Sequence, residues 1–354
     1  MTGVVVEAAL ADRGVSLEVS VPAGAVAGIV GPNGAGKTTL LHLIAGLLRP
    51  TSGSVRVGDR LLSDVRRVVP THRRRVALLT QRSALFPHLT VLENVAFAPR
   101  SAGASATSAR DRALAELEAT GCADLASRRA HELSGGQAQR VAIARALAGD
   151  PGVVLLDEPM AGLDVAVAAE VRHVLAERLR GRTALFVTHE VLDLWTVADR
   201  VAVVDGGRVV ETGPVEDLLT RPTSPFLAHL SGLTLLSGVE RDGDLEIAPG
   251  VLLQGLSDPT QPLAPGGRGL AGIPPEAVAL HLEQPGGSPR NALRATIVSI
   301  EPRGPVVRVR LQVASQQLAA DVTTQSVARL GLAPGQDVWA VVKAVQVRLY
   351  GRLQ

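Results

Sequence analysis

The stretch Gly31-Pro-Asn-Gly-Ala-Gly-Lys-Thr-Thr39 constrains this chain more than any other. It fits G-x-x-x-x-G-K-[ST], a turn whose backbone N–H groups point inward at an anion such as the phosphates of a nucleotide. Gly31, Gly34 and Gly36 let the chain curl where a Cβ would obstruct the anion, and Asn33 and Thr39 complete the cradle. Lys37 can reach the β- and γ-phosphates, and the Thr38 hydroxyl can ligate Mg2+. The flanks agree. Val26-Ala-Gly-Ile-Val30 reads as a short buried strand, and Thr39-Leu-Leu-His-Leu-Ile-Ala45 starts a helix whose positive N-terminus faces the phosphates. This strand–loop–helix order predicts an α/β domain of the P-loop type that binds a nucleotide.

Composition adds weight to that lysine. Lys37 and Lys343 are the only lysines, and arginine supplies the rest of the 36 basic residues. Where a lysine stands in such a chain, a compact three-donor ammonium is called for. The length, 354 residues, suggests two domains, each with its own core. A formal net charge of +2 gives no general attraction to nucleic acid or to a membrane surface. The single cysteine, Cys122, excludes an internal disulfide and suits a reducing compartment. The uncharged run from Val19 to Gly36 is broken by prolines and glycines, so it reads as strand, turn and loop rather than a membrane span. The N-terminus lacks the basic and apolar regions of a secretory signal. A soluble, cytosolic protein is expected, reaching a membrane only through a partner.

In chain order, Val15, Leu17, Val19 and Val21 alternate as on a half-buried strand, and Gly53–Leu62 reads as a hairpin. No aromatic residue precedes Phe86, so a nucleotide base would be held by aliphatic contact or by the Arg13 guanidinium. Arg66, Arg67, Arg73, Arg74 and Arg75 read as a solvated loop, with a basic patch facing an anionic membrane as the alternative. Gln81 follows the apolar strand Val76–Leu79, where its amide can touch Mg2+ or an attacking water. The run Ser83 to Val95 is either core or a docking surface. Residues 100–130 read as an inserted helical subdomain anchored by Leu114, Leu117 and Leu125. Ser134-Gly-Gly-Gln137 then opens a helix as a second anion-binding type of N-terminus. One nucleotide needs that second grip only if it comes from another copy of the chain. Val153–Leu156 is a strand buried on both faces, tipped by Asp157 and Glu158. Asp157 can hold Mg2+, and Glu158 can polarise water for in-line attack on a γ-phosphate. Ala184–Thr188 repeats the plan and ends in His189, at the carboxyl edge where open α/β sheets bind ligands.

The ordered set Gly31–Thr39, Gln81, Leu133-Ser-Gly-Gly-Gln137, Asp157-Glu158, Ala161-Gly-Leu-Asp164 and His189 resembles the ATP-binding cassette ATPases over roughly residues 1–230. The resemblance implies ATP as substrate with Mg2+, Lys37 and Thr38 on phosphate and metal, Gln81 as sensor, Glu158 as base and His189 as the γ-phosphate switch. It also implies that Ser134, Gly135, Gly136 and Gln137 act across a homodimer, with Asp164 at its seam. The sequence departs from the family pattern in lacking an adenine-stacking aromatic, and in Met160-Ala-Gly162 where a Ser-Ala-type turn is usual. Leu85-Phe-Pro-His-Leu-Thr-Val91 is similar to the importer branch, whose members couple here to integral membrane permeases at the cytoplasmic face and draw solute from a periplasmic or surface binding protein.

From Leu233 the composition changes. Residues 236–287, with Pro and Gly concentrated in Asp258–Gly272, read as linker and the start of a C-terminal β region. Residues 288–354 read as a small all-β, OB-like barrel with alternation in Val306–Leu311 and Val338–Lys343. Ser288-Pro-Arg-Asn-Ala-Leu, Gly331-Leu-Ala-Pro-Gly-Gln-Asp-Val and Val341-Val-Lys-Ala resemble the molybdate-binding molbindin type, called TOBE, with one repeat visible. Arg290, Ser326 and Lys343 are the candidate oxyanion donors. The resemblance implies the ATPase of a molybdate or related oxyanion importer. The alternatives are a sulfate, iron, polyamine or sugar importer, or a soluble cassette ATPase. The last would be expected to carry two cassettes or a basic arm for nucleic acid, and neither is visible. The expected division is a nucleotide domain over 1–235 with a helical subdomain near 88–132, then 236–287, then 288–354.

Overall fold

The computed structural model describes residues 3–81, 83–286 and 290–351. The chain divides into two compact units, Met1–Glu216 and Asp217–Gln354. The first unit opens with β1 (Val4–Leu10), β2 (Val15–Val21), β3 (Val26–Val30), α1 (Lys37–Ala45), β4 (Ser52–Val57), β5 (Arg60–Asp64) and β6 (Val76–Leu79). Then come α2 (Val91–Ser101), α3 (Ala106–Ala119), α4 (Gly135–Ala148), β7 (Val153–Asp157), α5 (Val165–Leu179), β8 (Ala184–Val187), α6 (Val191–Val197), β9 (Arg200–Asp205) and β10 (Arg208–Pro214). The division between the units falls within α7 (Val215–Thr220).

Two sheets sandwich α1. An antiparallel sheet of order β2-β1-β4-β5 carries the expected alternation, with Val15, Leu17, Val19 and Val21 buried. The second sheet has the order β10-β9-β3-β8-β7-β6, and β9, β3, β8, β7 and β6 run parallel. Strands β3, β7 and β8 are buried at every position, as parallel strands covered on both faces must be. Leu40, Leu41, Leu43 and Ile44 of α1 fill the core between the sheets. Strand β6 lies at the sheet edge and is only half-buried.

The helices α2, α3 and α4 pack around their own small core of Val91, Val95, Ala113, Leu117, Cys122, Leu125 and Val141. Leu117 and Leu125 anchor it as expected, but Leu114 is 36% exposed. The correction is one of helical phase: Ala109, Ala113, Glu116 and Leu117 share the inward stripe of α3, and Leu114 falls outside it. A second correction concerns the arginine-rich loop. Arg66, Arg67, Arg73 and Arg75 are exposed, but Arg74 is 2% exposed. Its guanidinium donates to the carbonyls of Leu43 (3.1 Å) and Ile44 (3.0 Å) at the end of α1, and to Val69 (2.8 Å) and Leu62 (3.3 Å). A cation is favourable at a helix C-terminus, where carbonyls lack intrahelical partners. Arg74 thereby ties the helix that starts at the phosphate loop to the antiparallel sheet.

The second unit begins with α8 (Pro225–Leu230), β11 (Thr234–Arg241), β12 (Asp244–Ala248), β13 (Val251–Leu253), β14 (Leu256–Ser257), β15 (Arg268–Ile273) and β16 (Ala279–His281). It continues with β17 (Asn291–Arg303), β18 (Val306–Val313), β19 (Gln316–Thr323), α9 (Thr324–Leu330), β20 (Asp337–Val342) and β21 (Arg348–Gly351). One repeat is legible in the sequence, but the strand registers reveal two modules. In the first, β11 pairs with β15 from Thr234↔Ile273 to Val239↔Arg268; in the second, β17 pairs with β20 from Asn291↔Val342 to Thr296↔Asp337. Each module ends in a 3-10 turn and a strand that crosses to the other module. Leu270↔Tyr350 in one exchange has its counterpart in Trp339↔His281 in the other. One core joins both modules, from Leu236, Leu253 and Ile273 to Leu293, Val309 and Leu349. The Pro- and Gly-rich segment before β15 is tied down within the unit. Asp258 accepts from Arg221 Nη1 (3.0 Å) and the Thr260 backbone (2.8 Å), and Gln261 O accepts from the Gly351 N–H (2.9 Å). Among the described residues, no helix is long and apolar enough to cross a membrane.

Candidate functional site

Four neighbouring strands of the parallel sheet deliver the expected site residues to one edge. The phosphate loop follows β3, His189 follows β8, Glu158 follows β7 and Gln81 follows β6. Gly31 has φ +150°, and a Cβ there would lie 1.9 Å from the Val204 carbonyl oxygen, so only glycine can begin the loop. Lys37 is 6% exposed, and its Nζ donates to the carbonyls of Gly31 (2.7 Å) and Pro32 (2.9 Å). Burial holds its pKa below the usual lysine value, against the opposing pull of Glu158 and Asp157. Asp157 is buried at the end of β7, where its carboxylate accepts from Thr38 Oγ1 (3.0 Å to Oδ2). Desolvation pushes the Asp157 carboxyl up, and the Thr38 hydrogen bond works against it.

Glu158 sits just past the strand with φ +49°, a left-handed conformation that costs energy for a residue with a Cβ. Its carboxylate accepts from Gln81 Nε2 (2.5 Å) and lies 2.8 Å from His189 Nε2. Glu158, the expected base, therefore touches both Gln81 and His189. An open cleft of about 810 Å³ holds them together with Asn33, Gly34, Gly36, Lys37, Thr38 and Thr39. Arg13 and Val15 line the same cleft, and no Phe, Tyr or Trp does so among the described residues.

A network that sequence reading missed fixes the His189 loop. Asp193, 2% exposed, accepts from Thr188 Oγ1 (2.5 Å) and from Arg172 Nε of α5 (2.7 Å). Thr188 Oγ1 in turn accepts from the Glu190 N–H (3.1 Å). Only an acid one helical turn after a strand tip hints at this in the sequence. The pairing with an arginine twenty-one residues upstream does not show there.

The Ser134–Gln137 turn does not join the cleft of its own chain, nor does Asp164. Ser134 is the N-cap of α4: its hydroxyl accepts from the Gln137 N–H (3.3 Å), and Gln137 Oε1 accepts from the Ser134 N–H (3.1 Å). Asp164 caps α5 through the Val167 N–H (3.0 Å). The two caps belong to adjoining surfaces, because a Cβ on Gly136 would lie 2.0 Å from Val167 and one on Gly135 would lie 3.7 Å from Leu163.

In the second unit the three oxyanion candidates are only partly brought together. The pair Asn291↔Val342 leaves Arg290 and Lys343 one residue beyond it, at the same end of two adjacent strands, and both are exposed. Ser326 lies on α9, next to the Thr323↔Val306 pair at the far end of another strand pair, with its hydroxyl 2.9 Å from Thr323 Oγ1. Ser288 and Pro289, quoted above for the molbindin resemblance, lie outside the described residues.

A strand–glycine loop–helix with a buried lysine, facing paired acids across a parallel sheet, defines a P-loop nucleotide-binding protein. The chain belongs to the ABC transporter family, whose profile matches residues 15–161, and a TOBE domain follows at residues 287–349. It is 46% identical over 362 residues to the Molybdenum import ATP-binding protein ModC of Mycobacterium tuberculosis, covering 99% of this chain and 98% of the relative. It is 36% identical to the Molybdate/tungstate import ATP-binding protein WtpC of Pyrococcus abyssi, over 91% of each. Among solved structures it resembles a dimeric ATP-binding cassette in a post-hydrolysis state bound to ADP and Pi, with 30% identity and a TM-score of 0.53. That match covers 61% of this chain and 99% of the other.

Proposed function

We propose that the chain is the ATP-hydrolysing subunit of an importer, and that it energises uptake of molybdate or a related oxyanion through a separate membrane permease. The observation that carries the hydrolytic part is the Glu158 carboxylate, held by Gln81 and His189 in the cleft that also contains Lys37 and Thr38. Lys37 and the loop N–H groups bind the phosphates of ATP. Glu158 takes the proton of the attacking water, Gln81 and His189 orient it, and the Asp193–Thr188 network keeps the His189 loop in place. The buried Asp157 carboxylate with the Thr38 hydroxyl suits Mg2+, which is commonly held by one or two carboxylates together with substrate phosphates. Bound there, Mg2+ supplies positive charge against the phosphate oxygens.

The position of Ser134, Gly135, Gly136, Gln137 and Asp164 outside their own cleft supports a homodimer in which each chain completes the other's site. The dimeric cassette similar to this chain is further support. For the permease we read the apolar hollow of about 540 Å³ beside β6, lined by Leu79, Phe86, Phe97 and Arg145. Phe97 is 48% exposed there, its ring centroid 4.7 Å from that of Phe86, with the Arg145 guanidinium 5.5 Å from the Phe86 centroid. Asn94 braces this run, accepting from the Phe86 N–H (2.8 Å) and donating to Phe86 O (3.1 Å) and Thr90 O (2.9 Å). Molybdate as cargo is favoured by the similarity to molybdenum and molybdate/tungstate import proteins along nearly the whole chain, and Arg290 with Lys343 is the place in the second unit where an oxyanion contact is read. A solute-binding protein would deliver the cargo to the permease on the other side of the membrane. Reconstitution with the permease and measurement of ATP-dependent molybdate uptake tests the whole assignment; sulfate transported in its place would favour the alternative cargo.

A further inference from the structure

Among the described residues, no Phe, Tyr or Trp lines the cleft that holds the phosphate loop, although four Phe, two Trp and one Tyr occur in the chain. What stands there is Arg13. It ends the 3-10 turn Ala11–Arg13 and is followed by Gly14 at φ +62°, which turns the chain into β2. The start of β2 is docked on the phosphate loop: the Ser16 N–H donates to Gly207 O (2.8 Å), and the Gly207 N–H donates to Ala35 O (3.1 Å). Val15 closes the gap, its Cγ2 only 3.5 Å from where a Gly36 Cβ would lie. Arg13 is thus held at the rim of the cleft, two residues from a fixed point of the loop. The other cleft cation is engaged, because Lys37 donates to Gly31 O and Pro32 O. Arg13 is exposed and has no hydrogen bond or ion pair among the described residues.

We propose that Arg13 stacks its guanidinium on the base of the bound nucleotide and so leaves the site indifferent to which purine it holds; the proposal rests on the nucleotide-binding reading above. A guanidinium is planar, delocalised and weakly hydrated, and it covers a π-face much as an aromatic ring does. Every base offers such a face, so stacking alone selects none. Arginine also presents donors only. Both purines offer the N7 acceptor to a donor, and arginine has no acceptor with which to read the adenine amino group. Val15 adds aliphatic contact, which is equally blind to the base edge.

Calorimetric titration of the full-length protein with ADP and GDP tests the idea without hydrolysis. The two diphosphates should bind within about fivefold of each other, and Arg13→Ala should weaken both about tenfold. Arg13→Tyr should keep wild-type affinity because it restores a stacking surface, whereas Arg13→Lys, a charge without a plane, should bind as weakly as Arg13→Ala. Inorganic tripolyphosphate, which has no base, should bind wild type and Arg13→Ala equally. GDP binding more than fivefold weaker than ADP would overturn base tolerance. Unchanged affinity in Arg13→Ala, full rescue by Arg13→Lys, or weaker tripolyphosphate binding in Arg13→Ala would remove Arg13 from the base. Phosphate release from ATP is scored in the same preparation. Wild-type protein that binds both diphosphates but releases no phosphate defeats the hydrolytic reading and leaves this one standing.

Discussion

The mainly parallel sheet of the first unit and the mainly antiparallel sheets of the second use polar side chains in opposite ways. At the carboxyl edge of the parallel sheet, Gln81, Glu158 and His189 arrive from three separate strands and meet over a cleft. On the second unit's strands, charges are matched within strand pairs: Arg308 with Asp321 (2.7 Å), Arg310 with Glu301 (2.8 Å) and Arg294 with Asp337 (3.0 Å). Asn291, 1% exposed, likewise exchanges hydrogen bonds with the Gln254 backbone. A cross-strand pair satisfies its members and holds register. Groups delivered by different loops to one open edge can change partners when a substrate enters. The first arrangement is chemistry, and the second is scaffolding.

Breaking the convergent cluster should have the largest effect. Glu158→Gln keeps the shape but removes the base, so ATP hydrolysis should fall about a thousandfold while nucleotide binding persists. Phosphate-release kinetics beside equilibrium binding separate the two, and near-normal turnover would take Glu158 out of the catalytic role. Lys37→Ala should fail earlier, at binding. Ser134→Arg should abolish turnover with little loss of ATP affinity in the isolated chain, because in the proposed homodimer its target is the partner's nucleotide. Mixed with Lys37→Ala, it places both lesions in one composite site and leaves the other complete, so partial hydrolysis should return.

Arg74 sharpens the comparison from within the first unit, since it is a buried cation with structural duty only. Arg74→Met removes the charge at similar length and strands carbonyls of Leu43, Ile44, Leu62 and Val69. Hydrogen bonds to a charged group contribute about 1.5–3 kcal/mol each, so even with water partly replacing the guanidinium a loss of at least about 3 kcal/mol of stability is expected in urea unfolding. A change within experimental error would mean that water replaces the guanidinium there at no cost.

These contrasts also explain what could be read in the sequence. The phosphate loop, the Asp157-Glu158 pair and the Ser134–Gln137 turn are each contiguous runs whose chemistry depends on local spacing, so they are legible without a fold. Arg74 is not, because its burial depends on the end of α1, some thirty residues earlier, and in a run of arginines nothing marks the buried one. Leu114 lies a fraction of a helical turn outside the buried stripe of α3, a difference of phase that its apolar character does not reveal. The first β module of the second unit was hidden for a different reason. Its last strand pairs with the other module, and where the second module has Lys343 at the N-cap of its 3-10 turn, the first has Pro274. Similarity of register survives there with little similarity of residue type. Ser326 fails as a neighbour of Lys343 because the topology sends α9 away from that strand end.

Lys343 is the residue most able to blur the comparison. It is exposed and without an ion pair among the described residues, in a unit where five of the ten described arginines are ion-paired. If it contacts a tetrahedral dianion together with Arg290, calorimetry on the full-length protein should detect molybdate and tungstate in preference to sulfate and phosphate. Lys343→Ala should then weaken binding about tenfold, as befits one charge-assisted contact. No heat with any of the four anions, or equal binding by the variant, would return the second unit wholly to scaffolding.

The smallest effect expected is a pH dependence confined to the second unit. Asp258 accepts hydrogen bonds from Thr260 and Arg221, which hold its pKa down from 3.8 to about 2. A carboxylate depressed in the folded state stabilises the fold fully above its unfolded pKa. That contribution should shrink as pH falls below about 4 and be gone once pH passes below about 2, where both states are protonated. Each unit carries one tryptophan, Trp195 in the first and Trp339 in the second, so Trp195→Phe leaves a fluorescence reporter on β20 alone. Melting followed by Trp339 should drop between pH 4 and pH 2 by more in this background than after the added change Asp258→Asn, which should be less stable at pH 7 and flatter toward acid. Parallel acid profiles for the two proteins would show that the Arg221–Asp258–Thr260 contacts do not hold the segment before β15. That segment would then behave as the loose linker its Pro and Gly content suggests.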